Sequence, residues 1–178
     1  KTAGRFAASV PVAETLLAGW LLAEAGLTSP SGAMTVAPLR WADELKIDGS
    51  GVLSGKARGV PFAKRAEHVA VLADGLSGPV VALVKLSDVR SGDGRNLAGD
   101  SSGEVVFDKV RVVAQAPAPA GLDRQRLMLM GATVRANQMA GALETVLAIT
   151  TRYAGERVAF EKTISKFQAV QHNLAKLA

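Results

Sequence analysis

The stretch Glu156-Arg157-Val158-Ala159-Phe160-Glu161-Lys162-Thr163-Ile164-Ser165-Lys166-Phe167-Gln168 decides how the rest of this chain is read. Before it runs an Ala-rich helical pattern from about Leu122 to Ala154, with Leu127, Met130, Val134, Met139, Leu143, Val146, Leu147 and Ile149 at helical spacing. After it the pattern restarts through Ala169, Val170, Leu174 and Leu177. A turn centred on Phe160 is therefore expected between two helices. An arginine near a helix end presents a planar fork of donors to anionic oxygens. A glutamine opening the next helix adds an amide that both donates and accepts. Arg157, Phe160 and Gln168 are thus the candidate residues for holding an anionic cofactor. The plainer alternative is an ordinary helix–turn–helix in which Arg157 only caps the first helix.

Working outward, the helical pattern before the turn predicts a helix of about 30 residues, near 45 Å long. That exceeds the globular average and suits a bundle arm reaching a neighbouring subunit. Met128 and Met130 read as core filler within it. This C-terminal block, 120–178, follows the stiff connector Ala116-Pro117-Ala118-Pro119 and reads as the start of a helical bundle that is incomplete at Ala178. The middle block, 29–119, changes character. Gly, Pro, Ser and Asp punctuate short β-like runs at Leu45–Asp48, Gly51–Gly55, His68–Ala73, Val80–Val84, Gly103–Phe107 and Val110–Val113. They predict an antiparallel sheet or small barrel. The first block, 1–28, is helical from Val12, with Pro11 in the first turn, Glu14 placed to favour the helix dipole and Gly26 to end it. Its apolar positions Leu16, Leu17, Trp20 and Leu21 need a partner surface, so it reads as the end of a larger helical domain truncated at its N-terminus. The helix–sheet–helix order gives an α+β fold of successive domains. No glycine-rich loop follows a strand, which argues against Rossmann and P-loop nucleotide sites; Ser91-Gly92-Asp93-Gly94 is a turn.

Composition narrows the function classes. The 178 residues are 48% hydrophobic but only 4% aromatic, so Ala, Val and Leu must fill the core. The chain has no cysteine, which excludes disulfides and thiolate metal sites and fits a reducing compartment. His68 and His172 lack zinc-site spacing, and no metal is expected. The net charge is +5, but the basic residues are scattered (Lys56, Arg58, Lys64, Arg65; Arg124, Arg126), without interleaved aromatics. Such a distribution reads as a solvated surface able to attract an anionic ligand, with no nucleic-acid partner. The most apolar run, Val10 to Leu27, contains Pro11, Glu14 and Glu24, so no membrane span is expected. With no secretory signal recognised, a cytoplasmic location is expected.

Several segments, in order, resemble the acyl-CoA dehydrogenase family. The Arg157 to Gln168 stretch resembles its Arg-x-x-Phe-Gly turn followed by Ile and a Phe-Gln pair. Val10 to Leu17 with Leu22 to Leu27 looks like the helix closing the family's N-terminal domain. Leu53-Ser54-Gly55-Lys56 is similar to its L-x-G-x-K turn, and Phe107 to Val112 to the strand leaving its middle β-domain. Gly131-Ala132 through Arg135, Ala140-Gly141-Ala142 and Tyr153 to Arg157 fit the first long helix of its C-terminal bundle.

The resemblance implies a flavoprotein oxidoreductase of fatty-acid and lipid metabolism. A glutamate base removes the α-proton of an acyl-CoA, and FAD accepts hydride from the β-carbon. It also implies a homo- or hetero-oligomer with FAD at the subunit interface. Arg157 would pair with the pyrophosphate, Phe160 would pack on the adenosine side, and Gln168 would hydrogen-bond the same moiety. Three departures stand beside it. The family's Gly after the motif Phe is Glu161 here. Its Thr-Glu-Pro-Gly-x-Gly-Ser-Asp flavin segment is replaced by Ser29 to Pro38, and the strand after it by Ala57 to Ala63. No catalytic base is assigned, because one family position for it is Gly131 and the commoner one lies beyond Ala178; Glu144 and Glu156 read as solvated helix charges. The alternative is therefore a non-catalytic subunit of a hetero-oligomeric dehydrogenase that donates FAD contacts to its partner.

Overall fold

Two aliphatic runs make the centre of the β-structure: β4 (His68–Gly75) and β5 (Gly78–Lys85), paired antiparallel from His68↔Lys85 to Gly75↔Gly78. The computed structural model describes all 178 residues. Residues on these strands alternate between two cores. Val69, Val71, Ala73, Ala82 and Val84 face one, while Ala70, Leu72, Val81 and Leu83 face the other. Burial on both faces explains why the runs are continuous rather than alternating in hydrophobicity.

The first core is completed by β2 (Leu45–Ile47), β3 (Val52–Pro61) and β7 (Ser102–Arg111), through Leu45, Ile47, Leu53, Ala57, Val60, Val105 and Phe107. The second is covered by α2 (Val12–Glu24), whose Leu17, Ala18, Leu21 and Leu22 are buried beside Leu122 and Leu127. Of the apolar positions expected to need a partner surface, Leu17 and Leu21 find it here and Trp20 packs partly against it, but Leu16 stays exposed. α2 is tied to β1 (Met34–Ala37) by polar bonds as well. The Met34 N–H donates to Thr15 Oγ1 at 3.0 Å, and that hydroxyl donates to the Met34 carbonyl at 3.2 Å.

With β6 (Arg90–Ser91) and β8 (Ala114–Pro117) the sheet has eight strands, in the order β6-β7-β3-β2-β4-β5-β8 with β1 beside β4. The α+β class holds, with three refinements. The sheet is open, with β6 and β8 at its ends, so the barrel alternative falls. It is mixed: β1 and β2 both run parallel to β4, a direction that hydrophobic periodicity does not encode. The two runs expected at Gly103–Phe107 and Val110–Val113 form one strand to Arg111, in which Lys109 takes a φ of 54°.

Two local expectations also change. Ala116 and Pro117, read as connector, belong to β8, where an edge position tolerates proline. Leu53 to Lys56 is not a turn but an irregularity inside β3, where the pairing to β7 shifts register. Gly55 has a φ of 136° there, and a Cβ would collide with the Glu44 carbonyl oxygen.

Residues Ser9–Ala132 form one compact unit; Lys1–Ala8 with Thr133–Ala178 form the other. The second contains α1 (Thr2–Arg5), the distal part of α3 (Arg124–Glu156), the short strands β9 (Val158–Ala159) and β10 (Lys162–Thr163), and α4 (Gln168–Leu177). Gly4 and Gly141 let α1 approach α3 closely, since a Cβ on either would strike backbone of the other helix. Glu144 of α3 pairs with Lys1 and, at 2.5 Å, with Arg5, while the Thr145 hydroxyl donates to the Arg5 carbonyl at 2.8 Å. No helix is long and apolar enough to cross a membrane.

Candidate functional site

The expected turn is a β-hairpin. β9 and β10 pair antiparallel, Val158 with Thr163 and Ala159 with Lys162, leaving Phe160 and Glu161 as a two-residue loop. Both loop residues have positive φ, 51° and 63°. That pattern belongs to the type I′ turn, whose backbone twist matches paired strands and which normally selects Asn-Gly or Gly. The hairpin therefore holds two side chains in a left-handed conformation that glycine would occupy without strain.

Arg157 is the first residue after α3. Its N–H donates to the Tyr153 carbonyl at 2.8 Å, and its carbonyl accepts from the Ile164 N–H at 2.9 Å, which closes the base of the hairpin. Its guanidinium takes part in no hydrogen bond or ion pair within the chain, so the capping role weighed for it is absent; the side chain is exposed. Phe160 stands at the hairpin tip, 88% exposed. Gln168 opens α4 with Phe167 as its N-cap, so its amide lies at the positive end of the helix dipole. All three candidate residues thus lie within one 12-residue segment of helix end, hairpin and helix start, and all three are exposed.

The segment is held together by contacts that the sequence reading did not foresee, one of them made by Phe160 itself. The Phe160 and Phe167 rings meet edge to face at 6.3 Å and 81°. The Lys162 ammonium lies 4.5 Å from the Phe167 ring centroid. The Gln171 amide donates to the Ser165 carbonyl at 2.9 Å. The spacing Phe160, Lys162, Phe167 was visible in the sequence, but only the hairpin turns it into a cluster. Arg157, Lys162 and Lys166 outnumber Glu156 and Glu161 here, and Glu156 lies 4.0 Å from Arg152 one turn earlier. The segment carries a positive balance, an unengaged guanidinium and an exposed ring, which together suit an anionic ligand with an aromatic part.

Glu144 is not simply solvated: hydrogen bonds from Lys1 and then Arg5 hold its carboxyl below the usual range. Its partners lie 143 and 139 residues away in sequence, beyond any local signal. A second polar cluster, in the sheet unit, also escaped the sequence reading. Asp43, buried, accepts from the Arg58 N–H at 2.9 Å and from Arg58 Nε at 2.8 Å. Arg124 Nη1 donates to the carbonyls of Trp41 and Asp43 at 2.9 and 2.7 Å. These bonds pin the loop after β1. In β1 itself the Thr35 hydroxyl is spent on the Pro61 carbonyl at 2.7 Å.

Residues 120–178 match the family model described as acyl-CoA dehydrogenase, C-terminal domain. No curated protein matches the chain. Among solved structures, the Tcur3481-Tcur3483 steroid ACAD G363A variant is 30% identical, covers 97% of this chain and 53% of its own, and superposes with a TM-score of 0.80. The ChsE4-ChsE5 complex from Mycobacterium tuberculosis is 25% identical, with 98% and 53% covered and a TM-score of 0.79. A glutaryl-CoA dehydrogenase from Mycobacterium smegmatis in complex with FADH2 shares the fold at 23% identity, with 78% and 38% covered and a TM-score of 0.60. The chain spans about half the length of the first two.

Proposed function

This chain belongs to the acyl-CoA dehydrogenase fold family, and from that premise we infer that it is part of an FAD-dependent oxidoreductase that α,β-dehydrogenates an acyl-CoA thioester. The observation that carries this reading is the hairpin segment, with an exposed guanidinium that has no partner in the chain, an exposed Phe160 and the helix-opening Gln168. These residues fit the anionic and aromatic ends of a dinucleotide cofactor. Arg157 would pair with the pyrophosphate of an FAD at a subunit interface, Phe160 would pack against its adenosine side, and Gln168 would hydrogen-bond the same moiety. The flavin, when bound, supplies the hydride acceptor for the reaction. The protein's own share is to bind and orient that cofactor.

A second reading is favoured by the β1 region. Where a flavin-contacting segment is expected, the chain has Ser29 to Pro38. Its strand Met34–Ala37 is wholly buried, and its Thr35 hydroxyl is already engaged. The names Tcur3481-Tcur3483 and ChsE4-ChsE5 each join two components. By analogy this chain is the partner that lends Arg157 to the FAD of another subunit without running the reaction. Visible spectra separate the two readings: a flavin absorbance on the chain purified alone supports the first, and absorbance only after a partner is added supports the second.

The cofactor role of Arg157 is tested by titrating FAD into the assembled protein and its Arg157→Ala and Arg157→Lys variants. Losing a charge-assisted bidentate contact should cost about 1.5–3 kcal/mol of FAD affinity, with lysine restoring only part. The melting temperature without cofactor should hardly change, because the guanidinium has no intramolecular partner to lose. Equal FAD affinities in all three proteins would sink the assignment.

A further inference from the structure

The sheet unit contains a second place built for an anion. A cleft of about 620 Å³ opens between the segment after β3 and the loop joining β6 to β7, and both Arg65 and Arg95 line it. Both arginines are exposed, and each is held by a backbone carbonyl. Arg65 Nη1 donates to the Ser9 carbonyl at 3.0 Å, and its guanidinium carbon lies 5.7 Å from the Phe62 ring centroid. Arg95 Nη1 donates to the Gly99 carbonyl at 2.7 Å. Each guanidinium is thereby oriented at the cost of part of one donor group, and most of its five N–H donors remain free.

The walls of the cleft are held as firmly. Gly99 N–H donates to the Asn96 carbonyl at 3.0 Å, Asp100 N–H to Asn96 Oδ1 at 3.0 Å, and Phe62 N–H to the Ser101 carbonyl at 2.9 Å. Arg95 and Ser101 also form an isolated β-bridge. Two carboxylates share the cleft: Asp93, in its lining, pairs with Lys64, and Asp100 beside it accepts from the Ser9 hydroxyl, a neutral donor that leaves its charge in place. With Arg65, Arg95 and Lys64 set against Asp93 and Asp100, the cleft keeps one net positive charge, and Ser101 also lines it.

We propose that this cleft docks the phosphate of a phosphate-bearing ligand, gripped by Arg65 and Arg95. Phosphate oxygens match the planar fork of guanidinium donors, and two forks around one cleft distinguish a phosphate from a lone carboxylate. The site lies wholly within residues Ser9–Ala132 and needs no flavin, so it stands or falls separately from the Arg157 reading.

Calorimetric titration of the full chain with adenosine 3′,5′-bisphosphate and with inorganic phosphate tests it, using wild type, Arg95→Gln and Arg65→Lys. Binding of either probe that weakens at least tenfold in Arg95→Gln, with an unchanged circular dichroism spectrum and melting temperature, supports the site. Arg65→Lys should bind more weakly than wild type, because an ammonium keeps the charge but loses the fork. Tighter binding of the bisphosphate than of phosphate identifies a nucleotide phosphate as the ligand group; equal binding identifies the free ion. No binding of either probe at millimolar concentration, or equal affinities in wild type and Arg95→Gln, overturns the proposal.

Discussion

Replacing Glu161 by glycine separates the two costs that this residue imposes on the hairpin. The first is conformational. At φ 63° Glu161 occupies the left-handed region, which costs an L-residue roughly 1–2 kcal/mol. Glycine removes that strain but carries more entropy in the unfolded chain, roughly 0.5–1 kcal/mol. The net expectation for Glu161→Gly is a hairpin more stable by about 0.5–1 kcal/mol. The second cost is electrostatic. If an anionic cofactor binds beside the hairpin as proposed, like unit charges separated by about 7 Å in water would repel by about 0.6 kcal/mol. Glu161→Gln removes only the charge and keeps the strained backbone. The amide of Ile164 reports the first cost, since it donates to the Arg157 carbonyl at 2.9 Å across the base of the hairpin. Its hydrogen exchange should slow roughly two- to fivefold in Glu161→Gly and stay unchanged in Glu161→Gln. Affinity for FAD should rise about threefold in both, from the lost repulsion. Unchanged or faster exchange at Ile164 in the glycine variant would refute the strain argument. Tighter FAD binding in the glycine variant alone would refute the charge argument.

Three other perturbations follow from the geometry. Gly55→Ala should lose about 2–4 kcal/mol in urea denaturation, from the left-handed φ and a Cβ driven against the Glu44 carbonyl; a loss near zero would mean that β3 can relax there. Leu21→Ala, which empties a fully buried site between α2 and the sheet, should cost about 2–5 kcal/mol in the same assay. The carboxyl of Glu144 is held below its ordinary value of 4.5 by Lys1 and Arg5, so the folded state binds its proton less readily than the unfolded state. The contribution of this cluster is present above pH 4.5 and is lost as pH falls through the lower folded value, so the α1 amides should lose exchange protection on acidification. Glu144→Gln should abolish that pH step, and a step of the same size in the variant would show that another group causes it.

Much of this protein was legible before folding. The aliphatic runs at His68–Ala73 and Val80–Val84 read as strands, and the long periodic segment ending near Ala154 as a helix, because period and length together leave few alternatives. The segment from Arg157 to Gln168 also declared itself, since its interruption of a helical pattern and its residue types are local properties. Departures such as Glu161 in place of glycine were readable for the same reason.

What the sequence left undecided depends on groups that are distant along the chain. Nothing local says that β1 and β2 run parallel to β4, or that Ser102–Arg111 is a single strand, because strand direction and register are set by the neighbour. Glu144 meets Lys1 and Arg5 only after α1 folds back on α3, and Asp43 meets Arg58 and Arg124 only after the sheet forms. The two oriented arginines of the cleft, Arg65 and Arg95, are likewise unremarkable charges until backbone carbonyls from other segments aim them. Hydrophobic period and turn chemistry are written residue by residue, so sequence alone marked most of the elements and the turn at Phe160, while the β-hairpin form of that turn and strand β1 came only with the structure. Ion pairs and binding clefts require groups from separate segments to converge, and only the tertiary structure decided those.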